Sequence, residues 1–206
     1  MPEADPPHQP GPAGRPPVGL RERKKARTRA TIRAQALRLF REQGYAATTV
    51  EQIAAAAEVS PSTFFRYFPT KEDVVVQDDY DPLLIQAFRA QPAELSPLRA
   101  LRAAVREVLG DLSAADEAEL REQSMLVFTV PELWAASMNN LTRTLDMLAH
   151  LAADRLGRSP DELPVRTFAG AVLGTSLSSA LHWLSHPGTN LAVVLDEALA
   201  QLEAAW

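Results

Sequence analysis

Between residues 60 and 67 the chain reads Ser-Pro-Ser-Thr-Phe-Phe-Arg-Tyr, a set of side chains able to read the edges of bases. A helix starting at Pro61 turns Phe64 and Phe68 to one side, toward a core, and Ser62, Thr63 and Arg66 to the other. Phe65 and Tyr67 fall on its flanks. Hydroxyls suit either donor or acceptor edges, a guanidinium grips the O6 and N7 of guanine, and aromatic carbon packs on a thymine methyl. An ordinary solvated helix carries more Glu and Lys and fewer exposed rings. The plain alternative is a small packing helix in which Phe65 is accidental.

The elements that must hold these side chains are legible on either side. Ile32, Ala36, Leu39 and Phe40 form one apolar stripe, predicting a first helix from about Lys24 to Gln43 that Gly44 stops. Thr49 caps a second helix and Gln52 reaches back to it, with Val50, Ile53, Ala54 and Ala57 as the buried face. Glu58-Val59-Ser60 then turns into the third helix, and Thr70 caps a fourth with Asp73 three residues on. Two short helices joined by a three-residue turn form a helix-turn-helix, whose second helix enters the major groove. Ahead of it Arg21, Arg23, Lys24, Lys25, Arg27, Arg29 and Arg33 face Glu22 alone. They predict an arm that follows phosphates or enters the minor groove, adding affinity with little sequence information. A frayed, solubilising helix end is the bland reading.

Charge divides the same way. Residues 1–71 hold 12 Lys and Arg against 6 Asp and Glu, and residues 72–206 hold 9 against 20, within a chain of 206 residues and net charge −5. A basic third on an acidic body suits a nucleic-acid surface joined to something that does not touch nucleic acid. There is no cysteine, which excludes disulfides, Cys-ligated zinc and thiol catalysis and points to the cytoplasm. No apolar run reaches the roughly 18 residues of a membrane span, and prolines stand where a signal peptide needs an apolar core. No Ser-His-Asp spacing, phosphate loop or metal quartet is present, so no catalytic residue, cofactor or metal site is expected. Asp78, Asp79 and Asp81 read as solvated acidic surface. His8 falls in the tail, and His150 and His182 are read as structural for want of a second ligand one turn on. A helical interaction module without DNA, or a small enzyme, stays open as an alternative.

The fold expected is all-α, of about nine or ten helices. Residues 1–19, with seven prolines and three glycines, read as a disordered tail; residues 20–70 as the DNA-binding domain; residues 71–206 as a helical ligand-binding and dimerisation domain. Ser60-Pro61, Ser96-Pro97 and Ser159-Pro160 each place a capping hydroxyl before a first-turn proline. Asp81-Pro82 has the same form and should split the fourth helix, whose stripe is Val76, Tyr80, Leu84 and Phe88. Further helices are expected over 97–112, 114–129 and 131–156. Gly170, Gly174 and Ser178 recur at four-residue spacing, which suits close helix contact, either within the chain or with a partner. Leu191, Val194, Leu195, Ala198, Leu199 and Leu202 give the last helix its own stripe.

The run from Gly44 to Ala54, followed by Val59-Ser60-Pro61-Ser62-Thr63-Phe64-Phe65-Arg66-Tyr67-Phe68-Pro69-Thr70-Lys71-Glu72, resembles the TetR family of bacterial one-component regulators over residues 22–76. The resemblance implies that Thr49 and Lys71 sit on phosphates with Ser60 nearby, Tyr67 on the backbone, and Ser62, Thr63 and Arg66 nearest the bases. Phe65 replaces the family's usual tyrosine, so apolar contact substitutes for a hydroxyl. Glu58 replaces a common glycine, which suggests that the residue there need not be left-handed. The resemblance further implies operator DNA as partner, a homodimer through the last two long helices (Gly170, Gly174, Ser178, Leu195, Leu199), and a small-molecule pocket near Met125, Trp134, Met138 and Arg143. With Asp78-Asp79-Tyr80-Asp81-Pro82-Leu83-Leu84, the chain is similar to a subgroup containing the mycofactocin-associated regulator. That subgroup implies a long-chain acyl-CoA effector, with a hydrophobic drug or natural product as the rival.

Overall fold

The structure is a computed structural model that describes residues 20–77 and 80–204. The proline-rich segment 1–19, His8 within it, and Asp78-Asp79 lie outside the described residues. Ten α-helices and no strand occur among those described: α1 (Leu20–Gln43), α2 (Val50–Ala56), α3 (Pro61–Tyr67), α4 (Asp73–Val76), α5 (Asp81–Ala90), α6 (Pro97–Leu109), α7 (Ala114–Thr129), α8 (Pro131–Leu156), α9 (Leu163–Ser185) and α10 (Leu191–Ala204).

Helices α1 to α4 close on one apolar core of Ile32, Leu37, Phe40, Ile53, Phe64 and Phe68, joined by Val74 and Val75. Full burial of each such side chain contributes about 1.5–3 kcal/mol. Leu133, from the first turn of α8, is fully buried in this same core. The larger body packs α5 on α6, α6 on α10, and α8 on α9, around Val105, Leu109, Val172 and Leu199. Among the described residues no helix is long and apolar enough to cross a membrane.

The punctuation has mostly the expected physical form. Thr49 and Gln52 make a reciprocal capping box, and Thr70 and Asp73 exchange a similar pair of bonds at 3.0 and 3.2 Å. Gly44 and Gly157 hold φ of 86° and 61°, ending α1 and α8 in the left-handed region that glycine enters without steric cost. The fourth helix is split as expected, α4 ending at Val76 and α5 beginning at Asp81, but Asp81 is the first helical residue and not the cap, a position that Tyr80 holds. Three further expectations are corrected. Helix α1 extends back to Leu20, so the basic residues ahead of Lys24 form helix rather than a loose arm. Ser159-Pro160 opens a turn, closed by Glu162 N donating to the Ser159 carbonyl at 3.2 Å, and α9 begins only at Leu163. Glu58 has a φ of 54°, left-handed where the absence of glycine suggested that it need not be.

His186 does stand one turn after His182, against the expectation of no such neighbour, and the two rings stack at 4.0 Å. Among the described residues no group of three or more His, Asp or Glu is placed to hold a metal ion.

Candidate nucleic-acid interface

Helix α3 is fixed from both ends. Ser60 Oγ accepts from Thr63 N at 3.1 Å and lies 2.9 Å from Ser62 Oγ, so one hydroxyl caps the helix and gathers the two that follow it. Phe64 and Phe68 are fully buried, their rings 5.9 Å apart. That leaves Ser62, Phe65 and Arg66 exposed, with Thr63 and Tyr67 half-covered. Phe65 is 50% exposed, a large apolar ring standing in water on a helix otherwise built to present polar groups. The Arg66 guanidinium lies 5.5 Å from the Tyr67 ring, close enough for the ring to steady it.

The turn before α3 explains the strain at Glu58. Val59 N donates to the Ala54 carbonyl at 2.9 Å and Glu58 N to Ala55 at 3.1 Å. That paired pattern closes a helix end only if the intervening residue is left-handed.

Arg23, Lys24, Lys25 and Arg27 are exposed along the first turns of α1, so that half of the helix carries a solvent-facing row of cations. Arg29 and Arg33, expected in the same basic arm, point inward instead. Arg33 is 7% exposed and donates from Nε to the Val74 carbonyl at 3.1 Å and from Nη2 to that of Gln77 at 2.6 Å. Arg29 bonds the Tyr67 carbonyl and the Gln77 side chain. Lys71 also has structural work: its Nζ donates to the carbonyls of Tyr45 and Thr48 at 2.9 and 3.0 Å, and sits 3.9 Å from the Tyr45 ring. The Tyr45 hydroxyl donates to Glu72. Burial and then this bond push the phenol pKa well up. At Glu72 burial works upward, but the bond from Tyr45 helps hold the carboxyl below its usual range. Thr49 Oγ1 accepts from Gln52 N at 3.2 Å, so its own proton remains to be donated outward.

Two cavities adjoin in the body. A chamber of about 290 Å³ lies among aliphatic side chains of α5, α6, α8, α9 and α10, including Leu84, Val105, Leu148 and Leu195. A more open one of about 730 Å³ shares Asp81, Thr144, Met147 and Leu173 with it and is walled also by Arg29, Gln77, Met138 and Arg143. Of the four residues expected to contact a ligand, Met138 and Arg143 line this opening. Met125 and Trp134 do not: both are exposed, and Trp134 packs on Phe128 with centroids 5.4 Å apart.

Gly170, Gly174 and Ser178 form one wall of an open groove on the outer face of α9 and α10, opposite Val194, Glu197 and Gln201. A Cβ on either glycine meets nothing within 4 Å, which removes close packing inside the chain as their reason. Leu199, expected at the same face, is fully buried in the chain's own core, and Leu195 packs against that core. Leu195 and Leu199 turn inward to α6, where Asp196 and Glu203 on α10 also pair with Arg102 at 2.9 and 2.6 Å.

An N-terminal helix-turn-helix joined to a helical body is the architecture of a DNA-binding transcriptional regulator. The chain belongs to the TetR family. Residues 32–77 match the model of bacterial regulatory proteins of the tetR family, and residues 95–206 match that of the MftR C-terminal domain. The chain is 40% identical over 151 residues to the HTH-type transcriptional regulator TcmR of Streptomyces glaucescens, covering 70% of this chain and 67% of that protein. It is 28% identical over 179 residues to the putative mycofactocin biosynthesis transcriptional regulator MftR of Mycobacterium tuberculosis, covering 85% and 89%. Among solved structures, the TetR-family repressor FadR of Thermus thermophilus, in complex with lauroyl-CoA, superposes with a TM-score of 0.52 at 28% identity, covering 85% of this chain and 93% of that one. A putative TetR-family regulator from Syntrophomonas wolfei gives a TM-score of 0.62 at 20% identity, over 87% and 95%, a likeness of fold.

Arg29 and Leu133 were missed by sequence reasoning as links between the two parts, and Arg33 as a tie between α1 and α4. One signal was present: Arg33 directly follows Ile32 on the inward stripe of α1, where a solvated cation has no place.

Proposed function

We propose that this regulator is a cytoplasmic homodimeric repressor whose grip on a palindromic operator is released by a long-chain acyl-CoA held in the body. The DNA-reading part is supported by the outward set on α3, Ser62, Thr63, Phe65 and Arg66; in this reading the first two and Arg66 meet base edges and Phe65 a thymine methyl. Thr49, Ser60 and Tyr67, with the third N–H of Lys71, bind phosphates, and Arg23, Lys24, Lys25 and Arg27 extend that contact along the backbone. Dimerisation is supported by the bare glycine face of α9. Two copies joined there present two α3 helices at the roughly 34–36 Å spacing of successive major grooves.

The effector reading is supported by the aliphatic chamber opening into one walled by Arg143 and Met138, and by FadR being a repressor in complex with lauroyl-CoA. Release requires the effector to prefer the form with misplaced recognition helices, and about 1–3 kcal/mol of coupling is enough for a useful switch. Fluorescence anisotropy on DNA flanking the protein's own gene, at two salt concentrations and with and without lauroyl-CoA, tests both parts. Tight, salt-sensitive binding that collapses with the thioester is expected. Tight binding indifferent to it would keep the repressor and replace the effector with a hydrophobic drug or natural product.

A further inference from the structure

Arg29 belongs at once to the DNA-reading head and to the wall of the larger cavity. Its Nη1 donates to the Tyr67 carbonyl at 3.2 Å, and Tyr67 is the last residue of the recognition helix. Its Nη2 donates to Gln77 Oε1 at 2.7 Å, and Gln77 closes α4 and lines the cavity of about 730 Å³ beside Asp81, Met138 and Arg143. The guanidinium lies 4.5 Å from the centroid of the Phe68 ring, which is fully buried under α3. Arg33, one turn on, holds the backbone of the same α4 segment but does not line the cavity.

A guanidinium is a planar, rigid fork. With one tine on the cavity wall and the other on α3, it cannot follow a shift of Gln77 without turning at Tyr67. The Tyr67 carbonyl is one of the acceptors a helix end leaves without an internal partner, so losing Arg29 loosens that end where α3 meets its core. We infer that Arg29 is a positioning residue that transmits occupancy of the cavity to the recognition helix, and is not a phosphate contact of the basic α1 row. The coupling half of this inference rests on the effector reading above; the positioning half rests on the DNA-binding assignment alone.

The two halves separate experimentally. The operator is the duplex that the wild-type protein selects from a random library, and Kd is measured across a salt series. Arg29→Lys keeps the charge but loses the fork, and is expected to weaken operator binding at least tenfold with the slope of log Kd against log salt unchanged. A phosphate contact behaves oppositely: lysine is tolerated, while Arg29→Ala lowers the slope by about one; that result overturns the inference. Should Arg29→Ala fail to fold by circular dichroism, Arg29→Lys and Gln77→Leu decide. Gln77→Leu is expected to cut release by lauroyl-CoA at least fivefold, with release expressed against that variant's own operator Kd without the thioester. Full release in Gln77→Leu overturns the coupling. If lauroyl-CoA does not release the wild type, the effector reading fails, and the salt series alone upholds or overturns the positioning role.

Discussion

Val59 donates its amide to the carbonyl of Ala54 at 2.9 Å across the turn of the helix-turn-helix, and the bond is closed by a glutamate, Glu58, at a φ of 54°. A non-glycine residue pays roughly 1–2 kcal/mol in steric strain for that conformation. The paired hydrogen bonds of the turn and the packing of Val59 on the head's core offset it. Glu58→Gly relieves the strain and gives back part of the gain as unfolded-chain entropy. The expected outcome is a stabilisation of up to about 1 kcal/mol, read as a higher midpoint in urea at unchanged slope. A lower midpoint would show that the Glu58 side chain contributes more than its backbone costs.

Arg66 is exposed at the end of α3 and its guanidinium lies against the Tyr67 ring. Arg66→Ala should therefore leave folding and assembly intact while operator affinity falls by about 1–3 kcal/mol and specificity relaxes at one base pair. Anisotropy on a panel of single-base operator variants measures both. Uniform loss across the panel would move Arg66 from the bases to the backbone.

The bare face of α9 makes opposite predictions for two substitutions at one position. If Gly174 faced only water, Gly174→Ala would stabilise the helix by up to about 1 kcal/mol and Gly174→Leu would be tolerated. For a glycine against a second copy, Gly174→Leu is expected to convert the dimer to a folded monomer, because a Cβ there meets nothing within 4 Å in its own chain. Sedimentation velocity with circular dichroism separates the cases, and a Gly174→Leu variant that remains dimeric would place the interface elsewhere.

Acid should loosen α10 from α6. Burial works to raise the Asp196 carboxyl, but bonds from Arg102 and Arg106 outweigh it and hold its pKa below the usual value. Bonds from Arg99 and Arg102 do the same for Glu203. A carboxyl lowered by folding contributes stability that is fully present above its unfolded value, near pH 4, and is lost as pH falls through the folded value. Thermal unfolding from pH 7 to pH 3 should accordingly show a Tm flat in this respect down to about pH 5 and falling below about 4. Arg102→Met should lower Tm at pH 7 and make the acid fall shallower.

The head was legible in the sequence because its signals are local. The stripe of α1, the capping box at Thr49 and the Ser60-Pro61 start each report on residues within one or two turns. Where the reading went astray, the deciding partner lay far along the chain. Arginine is assumed to seek water, yet Arg33 finds two carbonyls more than 40 positions away. Leu199 and Gly170 both sit on helices with apolar faces, and only the placement of α6 shows that Leu199 is core while Gly170 is bare. Glycine preference at a turn states what a left-handed residue costs, not whether the turn will demand one, and Glu58 shows the demand prevailing. Met125 and Trp134 carry no local sign of which side of a bundle they face.

Leu133 seats α8 inside the core of the head, and this limits how the protein can be rebuilt. A graft of residues 20–77 onto another body leaves a leucine-sized hole beneath Val74 and Val75, a vacancy of the kind that costs about 2–5 kcal/mol when made by truncation. Exchanging reading heads among relatives therefore means carrying the α7–α8 corner along with them, so the seam of an interchangeable part runs through the middle of the chain and not through the linker after α4.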